Sequence, residues 1–407
     1  MTLYKIIIHC NYFFTFWLNI DFKKNEIMRI LYITRDFFSE NDFPLLREFQ
    51  LQGISVDVYI FGGSKSAGII EIPKNSVKYG LRAASDFPEL KTRYIDYLDF
   101  QNIYIVSLRN KKVWLLYDLT IIISLFFKLK SKHYDVMHLT WPFSSRKERI
   151  LYRLPMKKVW VVHDPIPHSG QERQEINRRF AFNYCKDYIL LSQSLAGEFA
   201  KKYNISSSHI HFNKMGEFDY LRGMKPTQRI VDRKYILFFG QIVPHKGVEY
   251  LMEAMLEVHK RHPELFLVVA GKGNIYFDMK PYEDLDYIKK IFRFIGIQEM
   301  VNLFKGAEFV VCPYKDATQS GVVQTSFSMN IPVLGTNVGA LPQTIQDGIT
   351  GKIVPPSNSR VLAETIIELM DHPDEILRMR ENIDLYWRPK MSWKDIVQDY
   401  LSIYDSL

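Results

Sequence analysis

A chain of 407 residues exceeds one average hydrophobic core, so two domains are expected. Its 47% hydrophobic and 24% charged residues match ordinary globular composition and exclude a largely disordered protein. The net charge of +8 is spread over scattered lysines and arginines; it allows an anionic membrane surface or a phosphorylated substrate as partner, while no nucleic-acid-binding motif accompanies it.

Cys10, Cys185 and Cys312 lack metal-ligand spacing and are too few for a disulfide framework, which favours a reducing, cytoplasmic compartment. Residues 1–27 read as an N-terminal extension outside the fold, with a short membrane-touching arm as the alternative. Within them, residues 6–20 are apolar but broken by His9, Asn11 and Asn19, and fall short of the roughly 20 residues of a span. Lys5 imitates the start of a signal peptide, yet no small-residue cleavage site follows.

Residues 28–34 read as a buried first strand and 56–61 as a second, with a helix from about Phe43 to before Gly53. Residues 62–110 carry no clear pattern. Residues 113–130 read as a largely buried or interface helix, too short and too polar at Asp118 to cross a membrane; residues 113–127, with the basic balance, make membrane association an expectation. Strands follow at 135–140, 158–163 and 188–192, then a helix at 194–203. Such alternation implies right-handed crossovers and a parallel sheet covered on both faces.

Residues 213–234, with Gly216, Gly223 and Pro226, read as a linker. The pattern then repeats. A strand at 235–239 meets Gly240, and Val248, Leu251, Met252, Met255 and Val258 recur on one helical face. Further strands are expected at 265–270, 308–312 and 332–335, with helices at 359–370 and after Trp393. The fold class is therefore α/β. One Rossmann-like domain is assigned to 28–225 and a second to 226–385. Residues 386–407 form a C-terminal helix returning to the first domain.

Two loops have the chemistry of a phosphate site. Gly240, Gln241, Pro244, His245, Lys246 and Gly247 join a strand to a helix, where glycines admit a close ligand and Lys246 supplies a point charge. A solvated lysine at a helix start is the plain alternative. Asp316, Ala317, Thr318, Gln319, Ser320, Gly321 and Val322 precede an apolar helix, and their small side chains leave amide groups open to an anion. A loop with an N-cap serine explains Ser320 but not the length of the run. His163 and Asp164 close a first-domain strand, where ligands of open sheets bind, and His168 follows in a proline-stiffened loop. Asp36 and Glu40, after the first strand, are placed to meet an acceptor hydroxyl, although Asp36 or Ser39 could equally cap a helix. The sequence lacks metalloprotease, nucleophile-elbow and P-loop motifs.

Together these residues resemble family 4 (group 1) retaining glycosyltransferases of the GT-B fold. The likeness runs from about Met28 and is strongest over residues 235–356. There Phe239-Gly240-Gln241, Lys246-Gly247, Val269-Ala270-Gly271-Lys272-Gly273, Pro332-Val333-Leu334-Gly335-Thr336, Val338-Gly339 and Asp347-Gly348-Ile349-Thr350-Gly351 recur in the family's order. The resemblance implies two Rossmann-like domains facing across a cleft. It also implies sugar transfer from a nucleotide diphosphate, UDP or GDP type, to a glycan or lipid-linked acceptor. No cofactor and no metal are implied. Catalytic roles fall to His163, Lys246 and Asp316, and donor binding to Gly240, Gln241, Ser320, Gly321, Val322, Gln324 and Thr325. Acceptor contacts fall to Asp36, Asp164 and His168.

Three positions depart from the family pattern. Its paired donor-loop glutamates, eight apart, correspond to Asp316 and Gln324, or by distance from Pro332 to Thr325 for the second. Its arginine after the first glycine is Gln241. Its glycine-rich loop after the first strand is Arg35-Asp36-Phe37-Phe38-Ser39. These losses keep a catalytically weak partner protein of the same fold in view. An epimerase needs cleft carboxylates and a phosphorylase a pyridoxal lysine, and neither pattern is present.

Overall fold

The computed structural model describes residues 28–407 apart from 64–78, 89, 91–93, 95, 110–111, 144, 167–171, 194 and 318–319. The extension at 1–27 and His168 lie outside the described residues.

Two sheets organise the chain. The first contains β1 (Arg29–Arg35), β2 (Ser55–Gly63), β3 (Gly80–Ala83), β4 (Ile103–Leu108), β5 (Val136–Leu139), β6 (Lys157–Val162), β7 (Asp187–Leu190) and β8 (Ile210–Phe212). Their spatial order is β3-β4-β2-β1-β5-β6-β7-β8, and only the β3–β4 pair is antiparallel. The second contains β9 (Tyr235–Phe239), β10 (Phe266–Ala270), β11 (Ile288–Ile291), β12 (Val310–Cys312), β13 (Val333–Thr336) and β14 (Gly351–Val354). It is parallel throughout, ordered β11-β10-β9-β12-β13-β14. Strands buried on both faces read as continuous apolar runs, which is why β1 and β9 stand out in the sequence.

The first sheet is covered on both sides. Ile30 and Tyr32 face one core, under helix Ser39–Leu51, while Leu31 and Ile33 face the other, under helix Leu115–Ser131. That second helix buries Asp118, Ile122, Leu125 and Leu129 but leaves Leu116 and Phe127 largely exposed. Of the two expectations, a largely buried or an interface helix, the half-buried helix does not match the first.

Helix Trp393–Ser406 packs against the first domain, where Trp393, Ile396, Val397, Tyr400 and Tyr404 complete the core around Ile30 and Tyr32. Below β1 and β5, His138 stacks on Tyr32 at 4.2 Å and shares a hydrogen bond with the Tyr404 hydroxyl. Burial pushes the His138 imidazole down to about 3.

The chain passes between domains twice, and the two crossings touch. The Trp393 indole donates to the Glu217 carbonyl at 2.6 Å, and the Glu217 amide donates to the Met391 carbonyl at 3.2 Å. Arg388 pairs with the Glu217 carboxylate. Gly216 is required here because a Cβ would lie 2.4 Å from the Trp393 ring. Phe218 and Leu221, upstream of residue 226, already bury in the second core. Residues 213–234 are therefore an anchored crossing containing helix Asp219–Gly223, not a loose linker.

Candidate active site

The second domain builds its side of the site from backbone. After β9 the chain turns at Gly240, φ +132°, and after β10 at Gly271, φ +150°. A Cβ on Gly271 would lie 1.7 Å from the Gly240 carbonyl oxygen, so the two turns meet main chain to main chain. Gly247, φ +63°, ends the turn Pro244–Lys246 and backs onto the Pro313 carbonyl, 2.0 Å from where a Cβ would stand.

This packing aims Lys246. Its ammonium lies 3.6 Å from the ring centroid of buried Tyr314, a cation–π contact. Burial pushes its pKa down to about 8, against the pull of Cys312, Asp164 and Asp316. Asp164 belongs to the first domain, so Lys246 feels charge from across the interface. The Tyr314 hydroxyl is 3.4 Å from Ser320 Oγ, which caps helix Gly321–Ser328 by accepting from the Val323 amide. Lys246 and a capped helix start thus adjoin through one tyrosine, an arrangement that stabilises an anion. Val322 lies beside Gly240, its Cγ2 3.6 Å from the position of a Cβ there. Gly321 is open, with nothing within 4 Å of a Cβ. Asp316 is exposed, its amide donating to the His245 carbonyl at 3.4 Å.

The first domain builds its side from rings. His163 follows β6 and packs at 4.2 Å from the Phe38 ring. Burial pushes its imidazole down to about 4; Asp164 opposes this and Arg178 adds to it. It is neutral at pH 7. Phe37 and Phe38 both contact Trp141, at 5.3 and 6.5 Å. Buried Arg178 donates to the Asp164 carbonyl and fixes the turn after His163.

Two expected site residues are buried and make contacts within the fold. Gln324 is buried, and its Nε2 donates to the carbonyls of Met215 (2.8 Å) and Gly216. Its carboxamide holds the donor-side helix to the interdomain crossing, where Ser328 Oγ also accepts from the Phe218 amide at 2.8 Å. Asp36 is buried, with its carboxylate accepting from the Phe37 amide at 2.8 Å and lying against Gly62. These contacts tie it to its own loop and to β2.

A cavity of about 390 Å³ opens between the domains. Phe37 and Asn41 line it from the first domain, and Gly240, Gln241, Gly271, Lys272, Phe294, Ile295 and Thr325 from the second. Thr325 also donates to the Gly321 carbonyl at 2.8 Å. Asn41, Phe294 and Ile295 were not singled out by the sequence, and Phe37 and Phe38 were named only as part of a loop that departs from the family pattern. Adjacent aromatics immediately after β1 were the available signal. Among the described residues, no group of three or more His, Cys, Asp or Glu side chains is arranged to hold a metal.

Residues 233–372 match the family model for glycosyl transferases group 1. These residues are a group 1 glycosyltransferase domain. The group 1 domain contains every glycine turn described above. Alpha-D-kanosaminyltransferase of Streptomyces kanamyceticus is 29% identical over 154 residues, 37% of this chain and 40% of that one. The chain spans less than half the length of the curated relatives it matches. Anabaena HepE in complex with UDP-glucose superposes with a TM-score of 0.65 at 12% identity, covering 93% of this chain and all of that one. UDP-GlcNAc 2-epimerase from Neisseria meningitidis, bound to UDP-GlcNAc, gives 0.57 at 15% identity, over 92% of this chain and 99% of that one. Around the group 1 domain, the described residues have the GT-B fold of two Rossmann-like domains.

Proposed function

We propose that the chain is a retaining, metal-independent glycosyltransferase that moves a sugar from a nucleoside diphosphate to a glycan or lipid-linked saccharide. Its setting is bacterial cell-surface polysaccharide synthesis on the cytoplasmic side. One observation carries the reading. Lys246 and the start of helix Gly321–Ser328 converge, through Tyr314, on the cleft edge opposite His163 and Asp164. UDP and UDP-glucose, bound by HepE structures of this fold, make a uridine donor the first choice.

The base would enter the cavity between Phe294, Ile295 and the Gly240–Gly271 contact. The diphosphate would lie on Lys246 and the amides of Gly321 and Val322, with Gln241 and Thr325 beside it. As the bond from the anomeric carbon to the diphosphate oxygen breaks, negative charge collects on the phosphate, and these groups stabilise it without reorganising. The acceptor oxygen attacks the same face and its proton passes to the leaving phosphate oxygen, which preserves the anomeric configuration. Neutral His163, held by Phe38, would hydrogen-bond the sugar. Asp316 and Asp164 would hold the Lys246 charge against its burial.

The epimerase of the same fold shows that fold alone does not choose the reaction. The test is thermal stabilisation by UDP, GDP, ADP and CMP, on wild type and Lys246→Ala, followed by UDP release from UDP-sugars with a lipid extract. A ligand at 100 times its dissociation constant stabilises by about 2.7 kcal/mol. Stabilisation of wild type alone, with release of UDP dependent on acceptor, is the expected result. Binding without transfer to any acceptor supports the partner-protein alternative instead.

A further inference from the structure

The outer face of helix Leu115–Ser131 carries an apolar surface that nothing among the described residues covers. Leu116 is 77% exposed and Phe127 62%, with Ile123 between them on the same stripe. Val113, ahead of the helix, is 89% exposed. No helix among the described residues is long and apolar enough to cross a membrane. Helix Glu172–Phe182 lies on the same side of the first sheet and exposes Ile176 and Phe180.

The charges on this side are sorted. Lys128 and Lys130 are exposed in the last turn of the helix, and Arg146, Arg153 and Arg179 are exposed nearby. Glu175 is paired with Arg179 and Glu198 is exposed on the neighbouring helix, but the two acids packed beside helix Leu115–Ser131 point inward. Asp118 is fully buried on Lys147, and Glu148 is buried on Arg35. Cationic stems over aromatic rings extend the pattern: Arg109 lies 3.8 Å from the Trp114 ring and Arg149 3.6 Å from the Phe180 ring.

We infer that this face docks on an anionic phospholipid surface, with Leu116, Ile123 and Phe127 entering the headgroup boundary and Lys128 and Lys130 meeting lipid phosphates. A half-buried amphipathic helix with basic flanks has the chemistry of an interfacial anchor. A second copy of this chain is a poor occupant, because a two-fold contact would set one cationic face against another. The inference concerns binding alone, so it stands or falls independently of sugar transfer.

The experiment is flotation of the full chain with phosphatidylcholine vesicles and with phosphatidylcholine–phosphatidylglycerol vesicles, at low and high salt. Wild type should float with the anionic vesicles only, and less at high salt. The pair Lys128→Glu and Lys130→Glu should cut partitioning by about tenfold or more. The pair Leu116→Ser and Phe127→Ser should cut it as well, and both pairs sit at exposed positions that leave the core intact. Failure of wild type to float with anionic vesicles overturns the inference. So does flotation that both variants leave unchanged. Light scattering that shows a dimer dissolved by Leu116→Ser and Phe127→Ser, with no vesicle binding, reassigns the face to a protein contact.

Discussion

The two sides of the cleft are made of different materials. The second domain forms its rim from main chain at Gly240, Gly247 and Gly271, where a side chain would strike a carbonyl or disturb a turn. The first domain forms its rim from the rings of Phe37, Phe38, Trp141 and His163. A rim of backbone has one workable residue at each turn and no freedom to vary. A rim of rings can be rebuilt with other side chains of similar size. The second-domain rim is thereby fixed in shape, while the first-domain rim is free to specialise.

The sharpest way to break this contrast is Gly271→Ala. Its Cβ would stand 1.7 Å from a carbonyl oxygen at φ +150°, so we expect a loss of roughly 4 kcal/mol or more in urea unfolding. Gly53→Ala, at φ +69° with nothing within 4 Å, should cost only about 1–2 kcal/mol. Equal losses at both sites would remove the argument from backbone contact.

Next in size is Lys246→Ala. Loss of one preorganised charge should lower kcat by about 10²- to 10³-fold and abolish stabilisation by diphosphate. A variant that retains full turnover would move the phosphate site elsewhere. Gln324→Glu should follow, although the family pattern has glutamate there. A carboxylate cannot donate to the two carbonyls that Gln324 now serves, so unfolding should become easier by about 2–3 kcal/mol. An unchanged urea midpoint would show that the crossing does not depend on this donor.

The smallest effect is in pH. Lys246 has a pKa of about 8 in the free protein, and a bound diphosphate raises it. Binding therefore takes up a proton above pH 8. Diphosphate affinity should be full below that value and fall up to about tenfold per unit above it. Lys246→Ala should flatten the titration. His163, at about 4, should add nothing between pH 6 and 8.

Legibility in the sequence followed the same division. Gly240, Lys246 and Ser320 could be read because strand, turn and capped helix occur in a fixed order along the chain. Strands β3, β4, β8, β11 and β14 were missed: β3 and β4 lie in residues 62–110, which carry no clear pattern, and β8, β11 and β14 are only three or four residues long. Gln324 was assigned by spacing to the donor, but its direction is decided by Met215 and Gly216, which are distant in sequence. Asp36 was read as an open loop acid because burial against Gly62 depends on β2, a neighbouring strand. The exposed stripe of helix Leu115–Ser131 has the same composition as a buried one; only the tertiary structure tells which side is covered.

Helix Trp393–Ser406 has a consequence for how the protein is made. Tyr400 and Tyr404 fill the space beneath β1, among the first strands to leave the ribosome. The opening half of the molecule must wait, with Tyr32 and Ile30 uncovered, until the whole group 1 domain has been synthesised. Contacts between such distant positions form late and slow folding. Completion of the first core therefore waits on residues 393–406, and a nascent chain stopped short of Trp393 presents an unfinished hydrophobic face to chaperones and proteases.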